Sequence, residues 1–412
     1  DRMKCGLLGE KLGHSFSPFI HRRLASYDYT LMPVPRESLD EFMTRRDFDG
    51  INVTIPYKQD VMKYCASLSD EARAIGSVNT IVNRDGELSG YNTDIYGFIH
   101  MVSRRGISFS GRRVLILGTG GTSKTARAAA EKLGARDIIT VSRSGSVNYE
   151  NVYDIKDAEI IVNTTPVGMF PGNLVSPVEP ERFPNLQGVV DVVYNPLKTA
   201  LILRSEALGI PCTGGLMMLV AQAKASCELF LGKAVDDGVM EEIYRELLHS
   251  QRNIILVGMP GSGKSSVSRA LGKITGREFI DADDAIAARA GMDIPSIFAR
   301  EGESGFRRIE TEVLRELGVA TGRIIATGGG CVLKEENYFP LKQNGVIVFL
   351  RRDTALLSRS GRPLSQGADM DEMYSARLPH YMRFADVAVD STGVVERTAQ
   401  LIKEVTDEIS DN

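Results

Sequence analysis

Short apolar runs rich in β-branched residues alternate with stretches of helical periodicity from one end of the chain to the other. That alternation predicts an α/β protein with parallel sheets. Two of the runs pass directly into a glycine loop. Arg113-Val114-Leu115-Ile116-Leu117 leads into Gly118-Thr119-Gly120-Gly121, and Asn253-Ile254-Ile255-Leu256-Val257 leads into Gly258 through Lys264. Strand, glycine loop and helix in that order set backbone N–H groups and a helix N-terminus against phosphate. One chain therefore carries two nucleotide-binding beginnings, and they differ in kind. Between them, 235–248 reads as a charged amphipathic helix, and the polar stretch His249-Ser250-Gln251-Arg252 marks the major boundary. Asp236, Asp237, Glu241, Glu242 and Glu246 make this connecting stretch acidic.

The second loop, Gly258-Met259-Pro260-Gly261-Ser262-Gly263-Lys264-Ser265, fits G-x-x-x-x-G-K-[ST] at every fixed position. The backbone around Gly258, Gly261, Ser262 and Gly263 is expected to wrap the phosphates of ATP. Lys264 reaches the terminal phosphates, Ser265 offers a hydroxyl to Mg²⁺, and Ser266 stands beside it. A chance glycine turn is the bland alternative; a strand before and a helical pattern after weigh against it. Further on, Phe279-Ile280-Asp281-Ala282-Asp283 predicts two carboxylates on one side of a strand end, because strand side chains alternate.

The first loop is a weaker signal. It begins as G-x-G, but Ser123 replaces the third glycine of G-x-G-x-x-G. The next apolar run, Asp137 to Val141, ends in Ser142-Arg143-Ser144. An acidic residue there would bind the ribose 2′-hydroxyl of NAD, whereas an arginine accommodates the 2′-phosphate of NADP. Lys124 is a second candidate cation. Read alone, Arg143 is also an ordinary surface residue.

Composition narrows the classes. At roughly 150 residues per domain, 412 residues suggest two or three folding units. A net charge of −4 argues against nucleic-acid binding by bulk electrostatics. No apolar run approaches the ~18 residues of a membrane span. Cys5, Cys65, Cys212, Cys227 and Cys331 are scattered and never spaced C-x-x-C, the usage of reduced thiols in a cytoplasmic protein.

From 252 to about 400 the motifs follow one another in a familiar order. After the phosphate loop and Asp281/Asp283 come Gly302-Glu303, Phe306-Arg307 and Glu310. The triplet Gly328-Gly329-Gly330, then Arg359-Ser360-Gly361-Arg362-Pro363-Leu364 and Arg377 near Tyr381 complete the series. Together they resemble the shikimate kinases. The resemblance implies that Asp281 supports Mg²⁺ along with Ser265. It implies that Asp283 binds the acceptor's ring hydroxyls as candidate base, and that Arg307 and Arg377 grip its carboxylate beside the Gly328–Gly330 backbone. Arg362 would neutralise the transferring phosphoryl group, and Arg359 would stack on adenine. Two arginine forks suit a carboxylate-bearing polyol.

Residues 3 to about 245 carry a second set. Its members are Gly9 to Pro18 with His21, Gly50-Ile51-Asn52-Val53-Thr54-Ile55-Pro56-Tyr57-Lys58, Ile75 to Thr80, and Gly90-Tyr91-Asn92-Thr93-Asp94. Asn163 to Met169, Asp191 to Pro196 and Gly215 to Gln222 follow. These resemble the shikimate dehydrogenases, with Ser77, Arg22 and Lys124 as departures from the usual pattern. The resemblance carries Ser15, Ser17, Thr54, Lys58, Asn79, Asp94, Tyr194 and Gln222 onto a shikimate site. For NADP it designates Gly118, Gly120, Gly121, Lys124, Ser142, Arg143, Thr164, Met169 and Gly215. Hydroxyl and amide side chains are the right lining for such a substrate. Lys58 held by Asp94 would stabilise a developing alkoxide and exchange its proton. An ammonium paired with a carboxylate is held in its charged form, so positioning and electrostatics weigh at least as much as proton abstraction. His14 and His21 are expected to hold a turn.

The expected layout is a two-lobed dehydrogenase followed by a P-loop kinase domain with a parallel sheet. The shikimate-binding lobe spans 1–100 plus 213–247, the Rossmann-like NADP lobe 101–212, and the kinase 252–412. The expected activities are NADPH-dependent reduction of 3-dehydroshikimate and ATP/Mg²⁺-dependent phosphorylation of shikimate. Two rivals remain: a metabolite-sensing pseudo-enzyme or repressor, and an NAD-dependent quinate/shikimate dehydrogenase fused to the kinase. Intact Lys58, Asp94, Lys264 and Asp283 oppose the first, and Arg143 opposes the second.

Overall fold

The computed structural model describes residues 2–357 and 369–410. The chain divides into two compact units, one of 1–195 with 201–247, the other of 196–200 with 248–412.

The first unit holds two sheets. Strands β1 (Lys4–Gly9), β2 (Asp28–Pro33), β3 (Gly50–Val53), β4 (Ser67–Leu68), β5 (Thr80–Arg84) and β6 (Glu87–Tyr91) form a sheet ordered β2-β1-β3-β5-β6-β4. Strands β1, β2 and β3 run parallel, as the alternation predicts. Beyond them, β5 pairs antiparallel with both β3 and β6. The cause is local: Asp85-Gly86, at φ 54° and 85°, closes a two-residue hairpin that needs positive φ at both positions. Helices α1 (Ser17–Leu24), α2 (Leu39–Arg45), α3 (Asp70–Ile75) and α4 (Asp94–Arg104) accompany this sheet.

The second sheet is all parallel: β7 (Arg113–Leu117), β8 (Asp137–Val141), β9 (Ile160–Asn163), β10 (Gly188–Asp191) and β11 (Cys212–Thr213), ordered β11-β10-β9-β7-β8. Helix α5 (Gly121–Lys132) follows β7, and α6 (Ala200–Ala207) precedes β11. The next helix, α7 (Leu216–Leu231), packs on α4 and α1. Helix α8 (Asp237–Gln251) absorbs the polar 249–251 stretch as its last turn. Its acids do not stand as a bare field. Asp237 pairs with Lys224, Glu241 with Arg104 and Glu246 with Arg23.

The second unit is built on a third sheet, β12 (Asn253–Val257), β13 (Phe279–Asp281), β14 (Ile324–Ala326), β15 (Gly345–Arg351) and β16 (Val387–Asp390), parallel throughout and ordered β13-β14-β12-β15-β16. Every residue of β12 is buried. Ile255 and Val257 pack with Ile325 and Phe349 on one face, while Ile254 and Leu256 pack with Leu271 and Val348 on the other. Burial on both faces is what turns a strand into a continuous apolar run. Its helices are α9 (Lys264–Thr275), α10 (Ala282–Ala290), α11 (Ile294–Gly318), α12 (Tyr338–Lys342), α13 (Met370–Phe384) and α14 (Val395–Glu408). No helix among the described residues is long and apolar enough to cross a membrane.

Candidate active sites

In the first unit a cavity of about 270 Å³ gathers Ser15, Ser17, Thr54, Lys58, Asn79, Asp94, Tyr194 and Gln222. All eight residues assigned to the shikimate site line it. They arrive from separate elements: Ser17 opens α1, Thr54 and Lys58 follow β3, Asn79 precedes β5, Asp94 opens α4, and Gln222 lies on α7. Lys58 Nζ donates to Asp94 Oδ2 at 2.8 Å, with both side chains part-buried. Asn79 Oδ1 accepts the Thr93 amide at 2.7 Å, fixing the turn into α4. Ser77 accepts from Asn92 Nδ2 at 3.1 Å and braces the same turn.

His21 stays outside the cavity. It is buried, stacked on Tyr29 at 3.9 Å and 2.6 Å from the Tyr27 hydroxyl, and burial pushes its pKa down to about 3. His14 is exposed.

The cofactor candidates fall at the carboxyl ends of the second sheet's strands, where open α/β sheets bind ligands. Gly118 to Gly121 follow β7, Ser142 and Arg143 follow β8, Thr164 follows β9, and Gly215 follows β11 at the start of α7. Gly118 has φ 109°, and a β-carbon there would meet Thr164 Oγ1 at 2.8 Å, so only glycine serves. Ser123 is buried and returns its hydroxyl to Gly120 O at 2.5 Å. Gly215 also lines the cavity, while Lys124, Arg143 and Met169 are exposed.

In the second unit a cavity of about 160 Å³ joins the phosphate loop to the acceptor candidates. Gly261, Gly263, Lys264, Ser265, Ser266, Asp281, Asp283, Arg307, Gly328, Gly329, Gly330 and Arg377 all line it. Lys264 Nζ donates to the carbonyls of Gly258 and Met259 at 2.8 and 2.9 Å. Ser262 is buried within the loop. Ser265 donates to Asp281 Oδ2 at 2.5 Å.

Asp281 and Asp283 do not share a strand face. β13 ends at Asp281, which caps α10 by accepting the Asp283 amide at 2.9 Å, and Asp283 stands in the helix's first turn. The free amides at the start of α10 require an acceptor, and that need overrides strand alternation. Both carboxylates still reach the cavity.

Helix α11 breaks at Gly302, φ 72°, and its second part presents Glu303, Phe306, Arg307 and Glu310 at helical spacing on one face. Arg307 Nη1 donates to Glu310 Oε1 at 2.8 Å. Burial, partly offset by Arg307, raises the Glu310 carboxyl above its ordinary range. Arg307 Nε, Glu310 Oε2 and Arg377 Nη1 are buried without a hydrogen-bond partner among the described residues. All three belong to residues that line the cavity. Arg359 and Arg362 lie outside the described residues.

Two neighbours of the site were not singled out from the sequence. Phe298, stacked at 4.7 Å on the motif residue Phe306, walls the kinase cavity with it and looks like ordinary helix core. Arg352 places Nη1 3.8 Å from where a Gly263 β-carbon would stand. Its place directly after the long run 345–351 is a signal that could have found it.

Comparison with known proteins fits this geometry. The family model for the shikimate dehydrogenase substrate binding domain matches residues 7–81. The shikimate dehydrogenase (NADP(+)) of Clostridium perfringens is 36% identical over 263 residues, covering 59% of this chain and 97% of the relative. The chain belongs to the shikimate dehydrogenase family. The family model for shikimate kinase matches residues 260–410, so the chain carries a shikimate kinase domain as well. Among solved structures, a chorismate mutase/shikimate 5-dehydrogenase fusion protein from Clostridium acetobutylicum superposes with TM-score 0.57 at 34% identity, over 60% of this chain and 97% of that one. The Thermus thermophilus shikimate 5-dehydrogenase in complex with NADP(H) and shikimate gives 0.54 at 30% identity, over 59% and 99%.

Proposed function

We propose that the first unit reduces 3-dehydroshikimate to shikimate with NADPH and that the second transfers the terminal phosphoryl group of ATP to shikimate. The observation that carries this is the convergence of eight polar side chains, far apart in sequence, on one cavity around the Lys58–Asp94 pair. In the second unit a phosphate loop and two buried arginines share one cavity.

In the dehydrogenase, residues 1–100 with 213–247 form the shikimate lobe and 101–212 the NADP lobe. NADPH supplies the hydride. Hydroxyls and amides from Ser15, Ser17, Thr54, Asn79 and Gln222 orient the substrate. The Lys58 ammonium, held by Asp94, faces the carbonyl oxygen, stabilises the alkoxide and delivers its proton. Arg143 and Lys124 address the 2′-phosphate.

In the kinase, residues 252–412, Arg307 and Arg377 bind the shikimate carboxylate. Asp283 takes the proton of the attacking hydroxyl, and Lys264 stabilises the phosphoryl oxygens. Ser265 Oγ and Asp281 Oδ2 are hard oxygen donors of the kind magnesium accepts beside phosphate, and they would hold it there. All five cysteines are free thiols, in keeping with a cytoplasmic location.

The test supplies purified protein with 3-dehydroshikimate, NADPH, ATP and Mg²⁺. Shikimate 3-phosphate should accumulate, shikimate alone should accumulate without ATP, and nothing should form without NADPH. Absence of shikimate in the second case would refute the dehydrogenase reading.

A further inference from the structure

Beneath the dehydrogenase cavity, one hydroxyl ties together the segments that build it. Ser226 lies on α7 and is fully buried. Its Oγ accepts from Asn52 Nδ2 at 2.8 Å. It also lies 2.8 Å from Thr80 Oγ1, 3.0 Å from Thr93 Oγ1 and 3.1 Å from the Gln222 carbonyl. A serine hydroxyl has one proton and two lone pairs, so its three hydrogen bonds are all taken up within this ring of four polar neighbours. Ser226 itself does not line the cavity.

Each partner leads directly to a residue that does. Gln222 sits one helical turn before Ser226. Thr80 donates to Asn79 Oδ1 at 3.0 Å, and Asn79 Nδ2 donates to Thr93 Oγ1 at 2.9 Å. Thr93 immediately precedes Asp94. Asn52, at the end of the chain of contacts, lines the cavity and accepts the Tyr29 hydroxyl at 2.8 Å. Asn52, Asn79, Thr80 and Thr93 are all buried, so no water replaces a lost partner without rearrangement.

We propose that Ser226 is a positioning residue of the dehydrogenase, setting the reach of Gln222 on α7 relative to Asn79 and the Asp94 turn. This rests on the reading of the cavity as the 3-dehydroshikimate site. Removing the hydroxyl deprives Asn52 Nδ2 of its shortest acceptor and releases Thr80 and Thr93. Asn79 and Gln222 then lose their fixed separation. The damage falls on substrate binding and on the Lys58–Asp94 geometry, and spares the nucleotide loop after β7.

The experiment is steady-state kinetics of the full chain carrying Ser226→Ala or Ser226→Cys, with the thermal unfolding midpoint of the first unit as the measure of intact protein. In the alanine variant the KM for 3-dehydroshikimate should rise about five- to ten-fold, the scale of one buried hydrogen bond, while the KM for NADPH stays within about two-fold. The cysteine variant fills the site with a larger, weakly hydrogen-bonding thiol, so its KM for 3-dehydroshikimate should rise at least as far. It also reports on the hydroxyl if the alanine chain does not fold. Wild-type KM values in either variant, or equal loss for both substrates, would overturn the proposal. If the unmutated chain failed to reduce 3-dehydroshikimate with NADPH, the reading of the cavity would fall instead.

Discussion

Lys58 and Asp94, 36 positions apart, meet at 2.8 Å on the wall of a single cavity. The pair is made by the fold and not by local sequence, since Lys58 follows β3 and Asp94 opens α4. Replacing either with alanine should lower kcat for 3-dehydroshikimate reduction by about 10²- to 10⁴-fold, the range of a positioned acid/base group. Both residues belong to the first unit, so ATP-dependent phosphorylation of shikimate by the same preparation should be close to normal. NADPH oxidation within a few-fold of wild type would remove them from the mechanism.

Arg143 stands exposed just past β8, and the proposed NADP site assigns it to the ribose 2′-phosphate. The unmutated protein should prefer NADP(H) to NAD(H). Arg143→Ala should cost roughly 1.5–3 kcal/mol in NADPH binding, about ten- to a hundred-fold, with little change for NADH. The check is the ratio of kcat/KM for the two cofactors; equal use of both by the wild type would contradict the assignment.

In the second unit, Lys264→Ala and Asp283→Asn should each reduce phosphorylation by about 10²-fold or more and leave 3-dehydroshikimate reduction intact. Asp283→Asn is the sharper of the two. It keeps the shape of the α10 start, and its backbone amide still donates to Asp281. A kinase rate unchanged in that variant would make Asp283 an orienting group only.

His21 gives the dehydrogenase an acid limit. Its imidazole, in the folded unit, binds a proton only near pH 3, against 6.5 for an ordinary histidine. The unfolded chain therefore takes up more protons than the folded one between those values. Stability is then fully present above pH 6.5 and declines as pH falls, by at most ~1.4 kcal/mol per pH unit from this residue. The midpoint of thermal unfolding of the first unit, followed from pH 7.5 to 5, should fall more steeply in wild type than in His21→Gln. Parallel slopes would count against this role.

Much of this was legible from the chain because the informative signals were local. Glycine loops after apolar runs announce phosphate sites, and Arg143 and the Gly328–Gly330 triplet sit directly after further runs. What failed was also local. Asp85-Gly86 carried a hairpin signal that the general alternation overrode. Asp281 and Asp283 were read by strand period, although an aspartate before an alanine-rich run is equally a helix cap. Ser226 lies outside every motif, and Asn52, though inside one, carries no sign of its role. A lone serine on an apolar helix looks like filler until the fold brings 52, 80, 93 and 226 to one point.

A β-carbon on Gly329 would stand 2.5 Å from Pro260 Cδ and 2.8 Å from its nitrogen, and the Tyr381 hydroxyl pins the Gly329 carbonyl at 2.5 Å. The acceptor loop and the phosphate loop therefore touch backbone to ring, with no side chain between them to take up slack. A shift of either toward the other meets hard contact at once. Linkage then demands reciprocity: whatever factor bound ATP applies to shikimate affinity, bound shikimate applies to ATP. Widening this contact by shortening Pro260 to alanine should loosen that mutual dependence before it weakens either ligand alone, a change visible as a drift of the two apparent constants toward independence.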